Sequence, residues 1–300
     1  MWIWLALGSA LLLGVYDIAK KYALKNNGVY YVLLAATAIT TLLLCPFLAA
    51  GPPKYHLQLL LKAVLVTISW TAGMIALRLL PITTVSTFKA SRPMFVVIFS
   101  ILLFGERLNL WQWIGVAAVL AALWLLGAAS GKEGFKFGSS KGFNALIISV
   151  MAGVASALWD KHIIAGFSFG TPLGGLYAAL PENLTVPLFV QSWTNFYISI
   201  FLAVIVIAKA LREGRERERF RWDWTLPLIA LLITGADALY FIAINQEGSL
   251  LSVISLVRRF SVIVTFVLGA LLFKEQKIKG KSIALACMVA GIVLLMIGSL

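Results

Sequence analysis

Four cations stand where a membrane-crossing segment would put them furthest from water: Lys89 and Arg92 in one apolar stretch, Arg258 and Arg259 in another. On insertion scales each such charge costs about 2.5–3.5 kcal/mol at mid-membrane, so residues of this kind sit on bundle interiors and mark substrate or ion paths. Lys89 and Arg92 are three apart and share a helix face. Pro93 has no N–H to give the carbonyl of Lys89, which predicts a kink and a freed acceptor there. Planar guanidinium groups suit phosphate and carboxylate, so the first reading is a cationic cage for a small anion. The competing reading pairs the cations internally with the acids Asp17, Asp160 and Asp237.

The acids divide by context. Asp17 precedes Lys20 and Lys21 by one helical turn, which predicts a local ion pair. Asp160 adjoins Lys161 and His162 near a segment end, where solvation is expected. Asp237 lies deeper, in Gly235-Ala236-Asp237-Ala238-Leu239-Tyr240, and is a candidate for pairing with Arg258 or Arg259; Asp237 first, then Asp17, Asp160 and Tyr240, are the candidates for coupling or gating. Glu106 and Glu275 close their stretches and are expected to anchor the following turn or to pair across a gate.

What positions these groups is a very apolar chain: 300 residues, 61% hydrophobic and only 12% charged, with a mean hydropathy of +0.96. A soluble domain of this length cannot bury so much apolar surface. Crossing a bilayer takes about 20 mainly apolar residues, and ten stretches qualify: 2–22, 29–50, 57–80, 82–104, 110–129, 143–164, 189–210, 224–244, 249–273 and 281–300. Asn26-Asn27-Gly28, Gly51-Pro52-Pro53 and Pro81 mark the early boundaries, and tryptophans such as Trp2, Trp4, Trp111, Trp113, Trp222 and Trp224 cluster at expected interfaces. The segment 165–188, rich in Gly and Pro up to Pro187, reads as a long connection that can hold an interfacial helix. The expectation is an all-α membrane protein.

The chain also repeats. Ser86 to Leu126 aligns without gaps on Ser255 to Leu295, pairing Lys89 with Arg258, Leu102-Leu103-Phe104 with Leu271-Leu272-Phe273, and Glu106 with Glu275. Small residues recur at four-residue spacing in the first helix of each half: Ala6, Ala10 and Gly14, then Ser149, Gly153 and Ala157. The division is 1–129, a polar linker 130–142, and 143–300, each half with five spans. An odd number inverts the second half relative to the first, a transporter architecture. Most of the 25 Lys and Arg fall in the odd-numbered connections, which the positive-inside rule puts in the cytoplasm with both termini outside. Lys54, Lys62, Arg107 and Lys161 are assigned to the even connections.

Enzymatic readings find no support. There are two histidines, His56 and His162, with no HExxH, GxSxG or GxGxxG, and Glu275 stands where a Walker A glycine would precede Gly280-Lys281-Ser282. Cys45 and Cys287, both in apolar runs, indicate neither a disulfide framework nor a zinc site, and no metal or cofactor is expected. The net charge of +13 reflects loops such as Arg212 to Arg221 rather than a nucleic-acid partner. The expected partners are a small-molecule substrate and the lipid bilayer, with the chain a monomer or homodimer in the plasma (inner) membrane.

Pro93-Met94-Phe95, Leu103-Phe104-Gly105-Glu106-Arg107-Leu108 and the echo Leu272-Phe273-Lys274-Glu275 resemble the drug/metabolite transporter superfamily with two EamA-type repeats. Members move amino acids, nucleotide sugars, drugs or sugar phosphates, so the resemblance implies secondary transport without naming a substrate. A narrower similarity is to the triose-phosphate/phosphate translocators, in which a helix-four lysine and a helix-nine Lys-Arg pair bind phosphate. Lys89 in Phe88-Lys89-Ala90-Ser91 matches the first, and Arg258-Arg259 matches the pair with arginine for lysine. Arg92 stands where those translocators usually carry an acid, and their termini are cytoplasmic, opposite to the charge count here. The function expected is alternating-access transport of a phosphorylated or carboxylated metabolite. The alternatives are an amino-acid or drug exporter with paired charges, or a membrane scaffold or sensor that transports nothing.

Overall fold

Apolar runs of this length satisfy every backbone polar group within themselves only as helices, the one open-ended structure a bilayer tolerates. The computed structural model has that form. It describes residues 1–23, 27–79, 92–130, 140–167, 177, 180–213, 220–273 and 278–298, and among them are eleven α-helices and no strand. They are α1 (Trp2–Ala23), α2 (Val29–Leu43), α3 (Pro53–Leu79), α4 (Arg92–Phe104), α5 (Leu110–Ser130), α6 (Ser140–Gly166), α7 (Glu182–Glu213), α8 (Thr225–Asn245), α9 (Leu251–Val257), α10 (Phe260–Phe273) and α11 (Ile278–Ile297). Each of the ten predicted stretches holds a helix, and the ninth holds two. Among the described residues, five helices are long and apolar enough to cross a membrane, and shorter apolar ones lie among them. Large apolar side chains such as Trp124 (70% exposed) and Leu102 (70%) point outward, as lipid-facing residues do.

The expected long connection at 165–188 is shorter than its composition suggests. The helix α7 begins at Glu182 and carries Pro187 inside it. Pro187 cannot donate to the carbonyl of Asn183; Asn245 at the end of α8 supplies a donor instead, its Nδ2 lying 2.9 Å from that oxygen. A neighbour thus repairs the ladder, which is how intramembrane prolines are accommodated.

The helices pair in a regular way. The first helix α1 packs along α8 and against α10, while α3 packs along α6, which also meets α4. Between them, α5 lies along α11 and α2 along α7. Small residues set the distances. A Cβ on Gly291 would lie 2.9 Å from the Val119 backbone nitrogen, so α5 and α11 meet backbone to backbone. Across α3 and α6, Ser69 Oγ donates to the Ser149 carbonyl and Ser149 Oγ to the Ser69 carbonyl, each at 2.7 Å. The main core, including Trp2, Tyr55, Leu59, Val154, Ile163, Phe189 and Leu251, fills the end of the bundle where α1 and α3 begin and α6 and α8 finish. The cavity lies toward the opposite end.

Candidate functional site

A cavity of about 430 Å³ lies among α1, α3, α4, α6, α8 and the α9–α10 turn. Its charged lining is Lys20, Arg92, Asp237, Arg258 and Arg259. A smaller space of about 150 Å³ shares Arg92, Asp237, Tyr240 and Arg258 with it and adds Lys62 and Asp160.

Arg258 and Arg259 form the two-residue turn between α9 and α10. The predicted single helix is interrupted there, because Arg259 N bonds three residues back to Leu256 and Ser261 N to Arg258. This tighter winding replaces one α-turn and carries both guanidinium groups to the cavity, as broken helices do at transporter midplanes. Arg258 Nη2 lies 3.1 Å from Asp237 Oδ1, and its guanidinium stacks 4.0 Å from the Tyr240 ring centroid. The Nε atoms of Arg258 and Arg259 are buried and have no hydrogen-bond partner among the described residues. Arg92 opens α4, and its Nη2 donates to the carbonyl of Gly153 on α6. Gly153 makes room for it: a Cβ there would come within 2.8 Å of the guanidinium carbon.

Three of the four proposed anion ligands, Arg92, Arg258 and Arg259, therefore line one cavity. Lys89 falls outside the described residues, as do the carbonyl expected to be freed by Pro93, and Glu275. Asp237 has the partner foreseen for it in Arg258, and Tyr240 lies between Arg258 and Asp160.

Two expectations need correction. Asp160 is not solvated; it is 5% exposed and forms an ion pair with Lys62, which is 3% exposed. Lys62, assigned above to a connection, lies inside α3, where its neighbours Leu59-Leu60-Leu61 already mark it as intramembrane. The pairing expected of Asp17 with Lys21 falls on a side chain outside the described residues. Lys20 sits 5.6 Å from the Tyr16 ring centroid and faces the cavity, a position its place beside Lys21 at a segment end concealed.

Glu106 does more than anchor its own turn. Gly105 ends α4 with φ +63°, a left-handed conformation that favours glycine, and turns the chain so that Glu106 points into the second half. Its Oε1 accepts from Leu251 N at 2.7 Å and its Oε2 from Ser252 N at 3.1 Å, and it also accepts from the Ser252 hydroxyl. It thus caps α9, while Lys161 Nζ closes on Oε1 at 2.6 Å.

These features invite comparison with known proteins. Residues 1–128 match the EamA-like transporter family. That match covers the part of the chain containing α1 to α4 and nearly all of α5. None of the curated proteins matches the sequence. A crystal structure of a protein 16% identical superposes on 98% of this chain and 98% of its own, with a TM-score of 0.71. At that identity the likeness shows the fold, and it extends over the second half as well as the EamA-like first half.

Proposed function

We propose that this chain is a secondary transporter of a small anion, a phosphorylated or carboxylated metabolite, moved by alternating access between two inverted halves, 1–129 and 143–300. The charge balance of the cavity carries the reading: Lys20, Arg92, Arg258 and Arg259 line it against the carboxylate of Asp237. An anion relieves the mutual repulsion of those cations, and guanidinium donors grip phosphate or carboxylate oxygens in pairs. The Nε atoms of Arg258 and Arg259, which have no hydrogen-bond partner among the described residues, are donors of that kind. Helix pairing supports the inverted halves. If the first and third helices of the first half correspond to α6 and α8, then α1 on α8 and α6 on α3 are one contact made twice. Lys89, equivalent to Arg258 in the repeat, is assigned to the same site.

The test is thermal unfolding of the detergent-purified chain with inorganic phosphate, sugar phosphates or dicarboxylates, beside amino acids and cationic drugs. A ligand at 100 times its Kd stabilises the folded state by about 2.7 kcal/mol. Anions are expected to stabilise, and Arg259→Gln to abolish that response while its ligand-free transition stays close to wild type. Stabilisation by zwitterions or cations alone would overturn the anion reading in favour of an exporter that splits the Arg258–Asp237 pair. Flux of the stabilising anion into proteoliposomes then separates a transporter from a scaffold.

A further inference from the structure

The Lys62–Asp160 pair is unexplained by anion binding alone. It joins α3 to α6, yet the reciprocal Ser69–Ser149 bonds already fasten those helices two turns away. A buried ion pair is on balance no more stabilising than an apolar pair of similar shape. It lies on the smaller cavity, which is contiguous in its lining with the larger one. Polar and charged groups lining that space include Tyr16 of α1, Thr37 of α2, Arg92 of α4, Asn195 of α7, Asp237 and Tyr240 of α8, and Arg258 of the turn. Tyr240 links the pair to the anion site, its hydroxyl donating to Asp160 Oδ2 at 3.2 Å while its ring lies under the Arg258 guanidinium. The Lys62 ammonium also rests 4.7 Å from the Phe241 ring centroid, a second contact for the cation that does not need the carboxylate.

We propose that Asp160 carries a proton coupled to anion transport. This rests on the anion-transport reading. A proton from water in the cavity forms an O–H bond on the Asp160 carboxylate and ends its ion pair with Lys62. The ammonium is then a fifth cation available to the bound anion. One proton travels with each anion on Asp160; when the anion leaves, the proton returns to water and the Lys62–Asp160 pair re-forms. The device is a proton–anion symporter in which acid strengthens anion binding from the side where the proton is taken up.

The experiment uses the full chain in proteoliposomes with labelled inorganic phosphate and the membrane potential clamped at zero by potassium and an ionophore. Two quantities are read: phosphate self-exchange at equal pH, and net accumulation driven by an inward proton gradient. At one proton per anion, a gradient of one pH unit supports accumulation of about tenfold. Wild-type protein is expected to show both activities. Asp160→Asn, which leaves the Lys62 ammonium free at every pH, is expected to keep exchange and lose the proton-driven accumulation that protein-free and wild-type controls bracket, while Asp160→Glu, which keeps a carboxylate, is expected to retain both. Exchange in wild type without a response to the gradient overturns the coupling and leaves the anion reading standing, as does an Asp160→Asn variant that still accumulates phosphate. Absence of exchange in wild type removes both.

Discussion

The carboxylate of Glu106 accepts four hydrogen bonds from described residues, and its removal can be worked through. Its side chain is 2% exposed and serves two backbone donors at the α9 N-terminus, the Ser252 hydroxyl, and the Lys161 ammonium, whose side chain is 18% exposed. Loss of a helix cap costs about 1 kcal/mol, up to about 2. Removing one member of a buried ion pair costs about 3–5 kcal/mol. Lys161 keeps a bond of 3.1 Å to the Ser249 carbonyl and a place 5.3 Å from the Phe104 ring centroid, so the lower end of that range applies. Glu106→Ala should therefore destabilise by about 4 kcal/mol. Glu106→Gln retains an acceptor oxygen for α9 and should lose about half of that. The assay is denaturant or thermal unfolding of the purified variants, with Lys161→Met completing a double-mutant cycle. A coupling energy above about 1 kcal/mol between the two sites is expected for groups in contact. If Glu106→Ala, Glu106→Gln and wild type unfold together within about 0.5 kcal/mol, the carboxylate is not fastening the halves and the reasoning fails.

Other expectations are equally concrete. Gly291→Ala sets a Cβ 2.9 Å from the Val119 backbone nitrogen and should cost about 1–3 kcal/mol by overpacking the α5–α11 seam, whereas Gly166→Ala, which meets nothing within 4 Å, should be neutral or slightly stabilising; thermal unfolding of the pair checks this. Ser69→Ala and Ser149→Ala should each lower stability by about 1 kcal/mol, and a double variant less destabilised than the sum would show that the two bonds act as one clasp. Gly153→Ala pushes the Arg92 guanidinium from its seat on the Gly153 carbonyl and should weaken anion stabilisation with little effect on the ligand-free transition, because the displaced group is the end of a flexible side chain.

The membrane fold was legible because it rests on a single robust signal, apolar runs of spanning length, and helices occupy all ten stretches. The site was legible only where a charge sits well inside such a run, many residues from either end. Arg92, Arg258, Arg259 and Asp237 meet that condition and share a cavity. Asp160 was misread because its neighbours Lys161 and His162 suggested water, whereas its partner Lys62 is 98 residues away and known only through the α3–α6 contact. The α9–α10 turn carries neither Pro nor Gly, the usual marks of an interruption, so nothing local distinguished it from a continuous helix. Pro187 erred in the opposite sense. A residue that ordinarily stops a helix is tolerated because Asn245 of another helix satisfies the carbonyl it strands.

The Glu106 cap also bears on how the protein is made. The carboxylate leaves the ribosome 145 residues before the Leu251 amide that it will cap, and 55 residues before Lys161. Chain order therefore makes Lys161 the partner that emerges first, and the α9 amides become available to the acid only when most of the second half has been synthesised.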